Sequence, residues 1–221
     1  MTSTNPAPEL WLLRHGATAW ARDGRHTGNT DLALLPEGEA EARALAPLLT
    51  ALPFAAVLCS PLQRARHTCE LAGLASGALL CEDLREWDYG AYEGLTTPEI
   101  RQDVPGWTVW THGCVGGESV QQVEHRCQRV IEQAMALLQS AATISGEAEG
   151  PHRVALFAHG HILRALGATW LGLGGGSGSL LALNTGTVSV LGHERERRVI
   201  LRWNAPSWQA PTGKPPTGAT A

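Results

Sequence analysis

Leu10-Trp11-Leu12-Leu13-Arg14-His15-Gly16 is a short apolar run that ends on a cation, an imidazole and a glycine. A second stretch is built the same way: Val154–Phe157 is apolar, and Ala158-His159-Gly160-His161 follows. Apolar runs this short read as buried strands. A helix is expected directly after the second, from about Gly160 to Trp170. Phe54–Leu58 reads as a third buried strand. Strands alternating with helices imply an α/β fold, a three-layer α/β/α sandwich around a mainly parallel central sheet. In such sheets ligands bind beyond the carboxyl ends of the strands. Both chemically loaded segments stand there.

The helices announce themselves by period and by caps. Glu37–Leu52 carries Ala40, Ala44, Leu45, Leu48 and Leu49 at helical spacing, with Pro47 expected to kink it. Ser60-Pro61-Leu62-Gln63 has the form of a capping box, with Pro61 at the first helical position. Ser119 and Gln122 repeat that signature ahead of an amphipathic helix carrying Val120, Val123, Cys127, Val130, Ile131, Ala134 and Leu138. Thr187–Leu191 and Val199–Trp203 flank the charged run His193–Arg198 and read as a hairpin with a solvated tip. Gly172–Ser179 is glycine-dense without the spacing or lysine of a phosphate loop, so a flexible connection is expected. Ser140–Pro151 reads as a surface loop. The domain organisation expected is a lead-in over residues 1–8, one domain over 9–203 and a flexible tail over 204–221.

Bulk properties narrow the function. The chain has 221 residues, 43% hydrophobic and 17% charged, with 17 Lys and Arg against 21 Asp and Glu, a formal net charge of -4. No basic excess marks a nucleic-acid or anionic-membrane footprint. Five cysteines (Cys59, Cys69, Cys81, Cys114 and Cys127) form no C-x-x-C pair and read as reduced thiols. No apolar run reaches membrane-span length, and Met1–Pro8 has no signal-peptide organisation. A cytoplasmic protein is expected.

Taken alone, Arg14-His15-Gly16 is a weak signal and reads first as a histidine hydrogen-bonded at a turn. Read more widely, Leu12 to Trp20 resembles the signature of the histidine phosphatase (phosphoglycerate mutase-like) superfamily. The resemblance continues through Gly24-Arg25-His26-Thr27-Gly28-Asn29-Thr30-Asp31 and Ser60-Pro61-Leu62-Gln63-Arg64-Ala65. It returns at Leu84–Gly94 and at Phe157-Ala158-His159-Gly160-His161, with all blocks in family order.

That resemblance implies His15 as nucleophile, Arg14, Arg64 and His159 as the phosphate pocket, and Glu86 as proton donor. A neutral imidazole can attack phosphorus, and neighbouring cations keep it neutral. Arg14, Arg64 and a protonated His159 would neutralise the transferring phosphoryl group without a metal. The leaving alkoxide needs a proton that a carboxylic acid can give. Gly16 would leave room for a ligand at the backbone. Thr27, Gly28, Tyr89 and Gly160 are expected in substrate binding, and His161 in a structural or supporting role. Only the resemblance singles out Glu86 from Glu93. Ala21 stands where the family often has asparagine, so one hydrogen bond to phosphate or substrate is missing or supplied differently.

A narrower likeness, Trp87–Gly94, Pro105–Cys114 and Gly116–Ser119, is to the sedoheptulose-1,7-bisphosphatase-like, broad-specificity phosphatase subgroup. It implies sugar phosphates or bisphosphates as substrates. His112 replaces an acidic residue often found there. Trp107 and Trp110 fit a pocket wall or plain core packing equally well. The expected activity is a phosphoric monoester hydrolase with no metal and no cofactor. Its partner would be a small phosphorylated metabolite, not nucleic acid or membrane, and a homo-oligomer is left open. Two other readings stand beside it: a mutase-type phosphotransferase, and a phospho-ligand binding protein without turnover.

Overall fold

The computed structural model describes residues 7–145 and 151–206. Among these, six strands form one sheet: β1 (Glu9–Arg14), β2 (Ala56–Cys59), β3 (Leu79–Leu80), β4 (Arg153–Ala158), β5 (Val188–Glu194) and β6 (Arg197–Ala205). The spatial order is β3-β2-β4-β1-β5-β6. The first four strands run parallel, and β5 and β6 are antiparallel additions at one edge. Seven α-helices accompany them: α1 (Ala19–Arg22), α2 (Pro36–Leu49), α3 (Gln63–Leu71), α4 (Thr97–Asp103), α5 (Val109–His112), α6 (Val120–Ser145) and α7 (Gly160–Trp170).

The pleat explains the three layers. Successive strand residues point to opposite faces, so Val154 and Leu156 of β4 enter one core while Ala155 and Phe157 enter the other. The first core is closed by α6 and α7 through Val123, Cys127, Val130, Ile162 and Leu166. The second is closed by α2 and α3 through Leu45, Leu49, Ala65 and Cys69. With both faces covered, the central strands must be apolar throughout. Each fully buried leucine or phenylalanine contributes roughly 1.5–3 kcal/mol.

Several boundaries differ from the sequence reading for identifiable reasons. The helix begun by Pro36 continues through Pro47 and stops at Leu49. The Ser119–Gln122 capping box forms, Ser119 N–H donating to Gln122 Oε1 and Gln122 N–H to Ser119 Oγ. The one at Ser60–Gln63 does not. There α3 begins at Gln63, whose N–H donates to Asp31 Oδ1 at 2.8 Å, so a carboxylate from a distant loop caps the helix. The glycine-dense stretch is not a loose connection but contains a 3-10 helix, Gly175–Leu180, in which Gly178 packs where a side chain would strike α7. The proposed loop at Ser140–Pro151 begins late, because α6 runs to Ser145, and residues 146–150 lie outside the described residues. The charged tip His193–Arg198 is mostly strand, leaving only Arg195 and Glu196 to turn. β6 continues two residues past Trp203, where Asn204 N–H donates to Ser189 Oγ. Residues 1–6 and 207–221 fall outside the described residues, as do most of the proposed lead-in and tail. All five cysteines are free thiols. Among the described residues no helix is long and apolar enough to cross a membrane.

Candidate active site

Register brings the two histidines together. β1 and β4 pair in parallel with Arg14 beside Ala158, so the next residues, His15 and His159, leave the sheet side by side. His15 N–H donates to the Ala158 carbonyl at 3.0 Å, and the two imidazole rings lie 5.1 Å apart. β2 ends one strand away, and Ser60 N–H donates to the Phe157 carbonyl. Three strand ends thus converge on one floor.

The hydrogen-bond network assigns each ring a tautomer. His15 Nδ1 lies 2.7 Å from the Gly16 carbonyl, which can only accept, so Nδ1 carries the proton and Nε2 is a free lone pair. His159 is the reverse case. Its Nδ1 accepts from Arg64 Nε at 3.0 Å, so Nε2–H donates to Ser60 Oγ at 2.7 Å. Burial first, then the charges of Arg64 and Arg14, hold the His15 pKa well below the ordinary 6.5. Burial, Arg64 and His15 do the same to His159. The expectation of a protonated His159 is therefore corrected: it is neutral, because a guanidinium already donates to the nitrogen that would take the proton.

Arg64 is fully buried. Its Nε serves His159, Nη1 donates to the Thr30 carbonyl at 2.9 Å, and Nη2 donates to the carbonyls of Thr27 and Gly28 at 3.0 Å each. Those four bonds leave one of its five N–H groups uncommitted. Arg14 Nη1 donates to the Leu183 carbonyl, and its buried Nε has no hydrogen-bond partner among the described residues. Gly160, at the start of α7, lets this guanidinium lie against the backbone, since a Cβ there would meet Arg14 Cζ at 3.3 Å.

Glu86 sits under the same helix start. Its Oε1 accepts from the N–H groups of Trp87 and Ile162, and its Oε2 from that of His161, each at 2.9 Å. A carboxylate at a helix N-terminus satisfies donors that have no intrahelical partner.

A cavity of about 250 Å³ opens over this floor, lined among others by Arg14, His15, Thr27, Glu86, Tyr89 and Gly160. Arg64 and His159, both fully buried, are not among the residues that line it. Gly28 does not reach it. Gly28 N–H is held by Glu93 at 3.0 Å, its carbonyl by Arg64, and a Cβ there would strike the Trp87 carbonyl at 2.5 Å. Gly16 is likewise a packing glycine rather than a ligand-facing one: a Cβ would sit 2.1 Å from the Gly38 carbonyl of α2.

Sequence reasoning left Arg25, His26 and Arg164 unassigned, yet all three line the cavity. Arg164 carried a usable signal, standing one helical turn beyond Gly160. It lies with its Cζ 4.6 Å from the Trp110 ring centroid. His26 stacks on His161 at 5.9 Å, and Tyr89 Oη lies 2.6 Å from His161 Nδ1. Trp107 and Trp110 back these rings rather than face the cavity. His112 is exposed and bonded to Thr111, away from the cavity. Among the described residues no group of three or more His, Cys, Asp or Glu is placed to share a metal ion.

A pH dependence follows. The depressed pKa keeps His15 nucleophilic below 6.5, so the acid limb of kcat/KM should fall well under that pH. An acid limb near 6.5 in the wild-type profile would contradict it. Stability runs the other way. Below about 6.5 the unfolded chain protonates His15, His159 and His161 while the folded chain does not, so stability present above that pH is lost as pH falls. Melts between pH 7 and 5 read this directly.

The chain matches the profile of the histidine phosphatase superfamily (branch 1) over residues 10–206. It is 42% identical over 187 residues to an acid phosphatase of Mycobacterium tuberculosis, covering 84% of this chain and 86% of that protein. It is 34% identical to the sedoheptulose 1,7-bisphosphatase of Saccharomyces cerevisiae, over 76% of this chain and 69% of that one. Among solved structures, a mycobacterial glucosyl-3-phosphoglycerate phosphatase superposes with a TM-score of 0.77 at 30% identity, covering 90% of this chain and 99% of the other. Sequence and topology agree from the first strand to the last, and the chain belongs to the histidine phosphatase superfamily, branch 1.

Proposed function

We propose that this protein is a metal-independent phosphatase that hydrolyses phosphomonoesters of small metabolites, sugar phosphates or bisphosphates, through a phosphohistidine on His15. One observation carries the reading: a neutral imidazole with Nδ1–H tied to the Gly16 carbonyl and Nε2 unclaimed faces a cavity shared with Arg14 and Glu86.

His15 Nε2 attacks phosphorus, the ester P–O bond breaks, and the departing alkoxide takes a proton from the Glu86 carboxylic acid. The resulting carboxylate is received by three backbone N–H groups. Water then attacks the phosphohistidine and gives its proton to Glu86. The P–N bond breaks, phosphate leaves, and His15 returns neutral. Arg14 and the uncommitted N–H of Arg64 supply the positive charge for the phosphoryl oxygens, which supports turnover without a divalent cation.

Arg25 and Arg164 at the same cavity support substrates with a second anionic group. The test is phosphate release, with chelator present, from sugar monophosphates, sugar bisphosphates, phosphoglycerates and nucleotides. Substituting Arg164 by glutamine is expected to lower the bisphosphate-to-monophosphate ratio of kcat/KM by about tenfold or more, the worth of one charge-assisted hydrogen bond. An unchanged ratio removes Arg164 from substrate selection. Release from no ester overturns the hydrolase reading.

A further inference from the structure

Glu93 takes no part in the reaction written above and does not line the cavity. Its carboxylate is nevertheless spent entirely on the loop beside Arg64. Oε1 accepts from the N–H groups of Gly28 and Thr30, and Oε2 also accepts from Gly28 N–H, all at 3.0 Å. The same loop turns the carbonyls of Thr27, Gly28 and Thr30 onto the Arg64 guanidinium.

One peptide unit does both jobs. The Thr27 carbonyl accepts from Arg64 Nη2, and the N–H across that amide, on Gly28, donates to Glu93. Carboxylate and guanidinium therefore form an ion pair bridged by a peptide group, whose dipole lies between the two charges and is polarised by both. The bridge also requires glycine at 28, since a Cβ there would come within 2.8 Å of Glu93 Oε2. Burial lowers the Arg64 pKa, and Glu86, Asp31, Tyr89 and, last, Glu93 oppose the shift. From Arg64 the order passes to Nδ1 of His159 and then to Ser60.

We propose that Glu93 is the positioning residue of the phosphoryl site: through the Thr27–Gly28 peptide it holds the Arg64 guanidinium in its aimed position, and through Arg64 it fixes the neutral tautomer of His159. This rests on the reading of Arg64 as a phosphoryl ligand.

A double-mutant cycle tests it, using the full chain and two readouts: kcat/KM for p-nitrophenyl phosphate, and the affinity for vanadate, an equilibrium measurement that needs no turnover. Glu93→Ala is expected to weaken vanadate binding and kcat/KM by about tenfold or more. Glu93→Gln, which keeps one acceptor oxygen but no charge, should recover part of that loss. With Arg64→Lys already in place, Glu93→Ala should cost less than about threefold, because the geometry it secures is gone. Equal losses in both backgrounds overturn the proposal, as does wild-type vanadate affinity in Glu93→Ala. Thermal melts identify variants that fail to fold, and the Gln variant, which retains an acceptor for the loop, then decides. If the wild type releases no phosphate from any ester, the hydrolase reading falls, while the vanadate cycle still judges Glu93.

Discussion

Exchange of His15 for alanine is expected to lower phosphate release by about 10⁴-fold or more, on every ester, while leaving the fold intact. The size of the effect follows from the absence of a substitute. His159 is the nearest imidazole, but its Nδ1 is occupied by Arg64 and its Nε2 carries a proton directed at Ser60. Neither nitrogen offers a lone pair to phosphorus. Water in the vacated space would have to attack without the covalent step. The fold should tolerate the change, because the His15 ring bonds only its own neighbour, the Gly16 carbonyl, and the strand-to-loop anchors are backbone groups: His15 N–H to Ala158, and Gly186 N–H to the His15 carbonyl. Removing a buried neutral imidazole should also make the protein less sensitive to acid below pH 6.5. The measurements are phosphate release, trapping of an acid-labile phosphoenzyme after a short incubation with substrate, and thermal melts. Turnover close to wild type, or a phosphoenzyme that still forms, would remove His15 from the reaction.

The parts of this molecule visible in its sequence are those where local pattern and tertiary structure agree. Both faces of the central strands are buried, so Leu10–Leu13 and Val154–Phe157 are apolar without alternation, and the strand reading needed no partner. The Ser119–Gln122 cap is a contact within four residues and could be read directly. The cap of α3 could not, because it comes from Asp31, 32 residues earlier in the chain. The same division runs through the site. His15, Arg14 and His159 stand at strand ends and were legible as loaded termini. The protonation state of His159 is not legible locally, because its partner, Arg64, is 95 residues away. Gly16 and Gly28 read from sequence as ligand-facing. Their lack of a side chain is demanded instead by close backbone approaches, to Gly38 and to Trp87, that only the folded chain creates. Arg25 and His26 sit in a loop without periodicity, and nothing in their spacing points them at a cavity.

Glu86→Gln should separate substrates by their leaving groups. For sugar phosphates, whose alkoxides are poor leaving groups, the expected loss in kcat is about 10²–10⁴-fold, the usual contribution of a general acid. For p-nitrophenyl phosphate, whose phenolate departs without a proton, the loss should be smaller by at least an order of magnitude. The comparison matters because glutamine also disturbs the site in another way. Glu86 receives three N–H groups on its two oxygens, two on Oε1 and one on Oε2. An amide placed with its oxygen under Trp87 and Ile162 sets its own N–H₂ against the N–H of His161, leaving a donor unpaired at a cost of about 1–3 kcal/mol. That penalty displaces the start of α7, where Gly160 packs on Arg14, and so weakens both substrates alike. The shared loss measures the structural damage, and the difference between the two substrates measures proton donation. If the sugar phosphate and the nitrophenyl ester lose activity in equal proportion, Glu86 holds the helix start and gives no proton. If the ester with the poor leaving group loses far more, the carboxyl under α7 is the acid, and a single pair of rate ratios establishes it without any assumption about the physiological substrate.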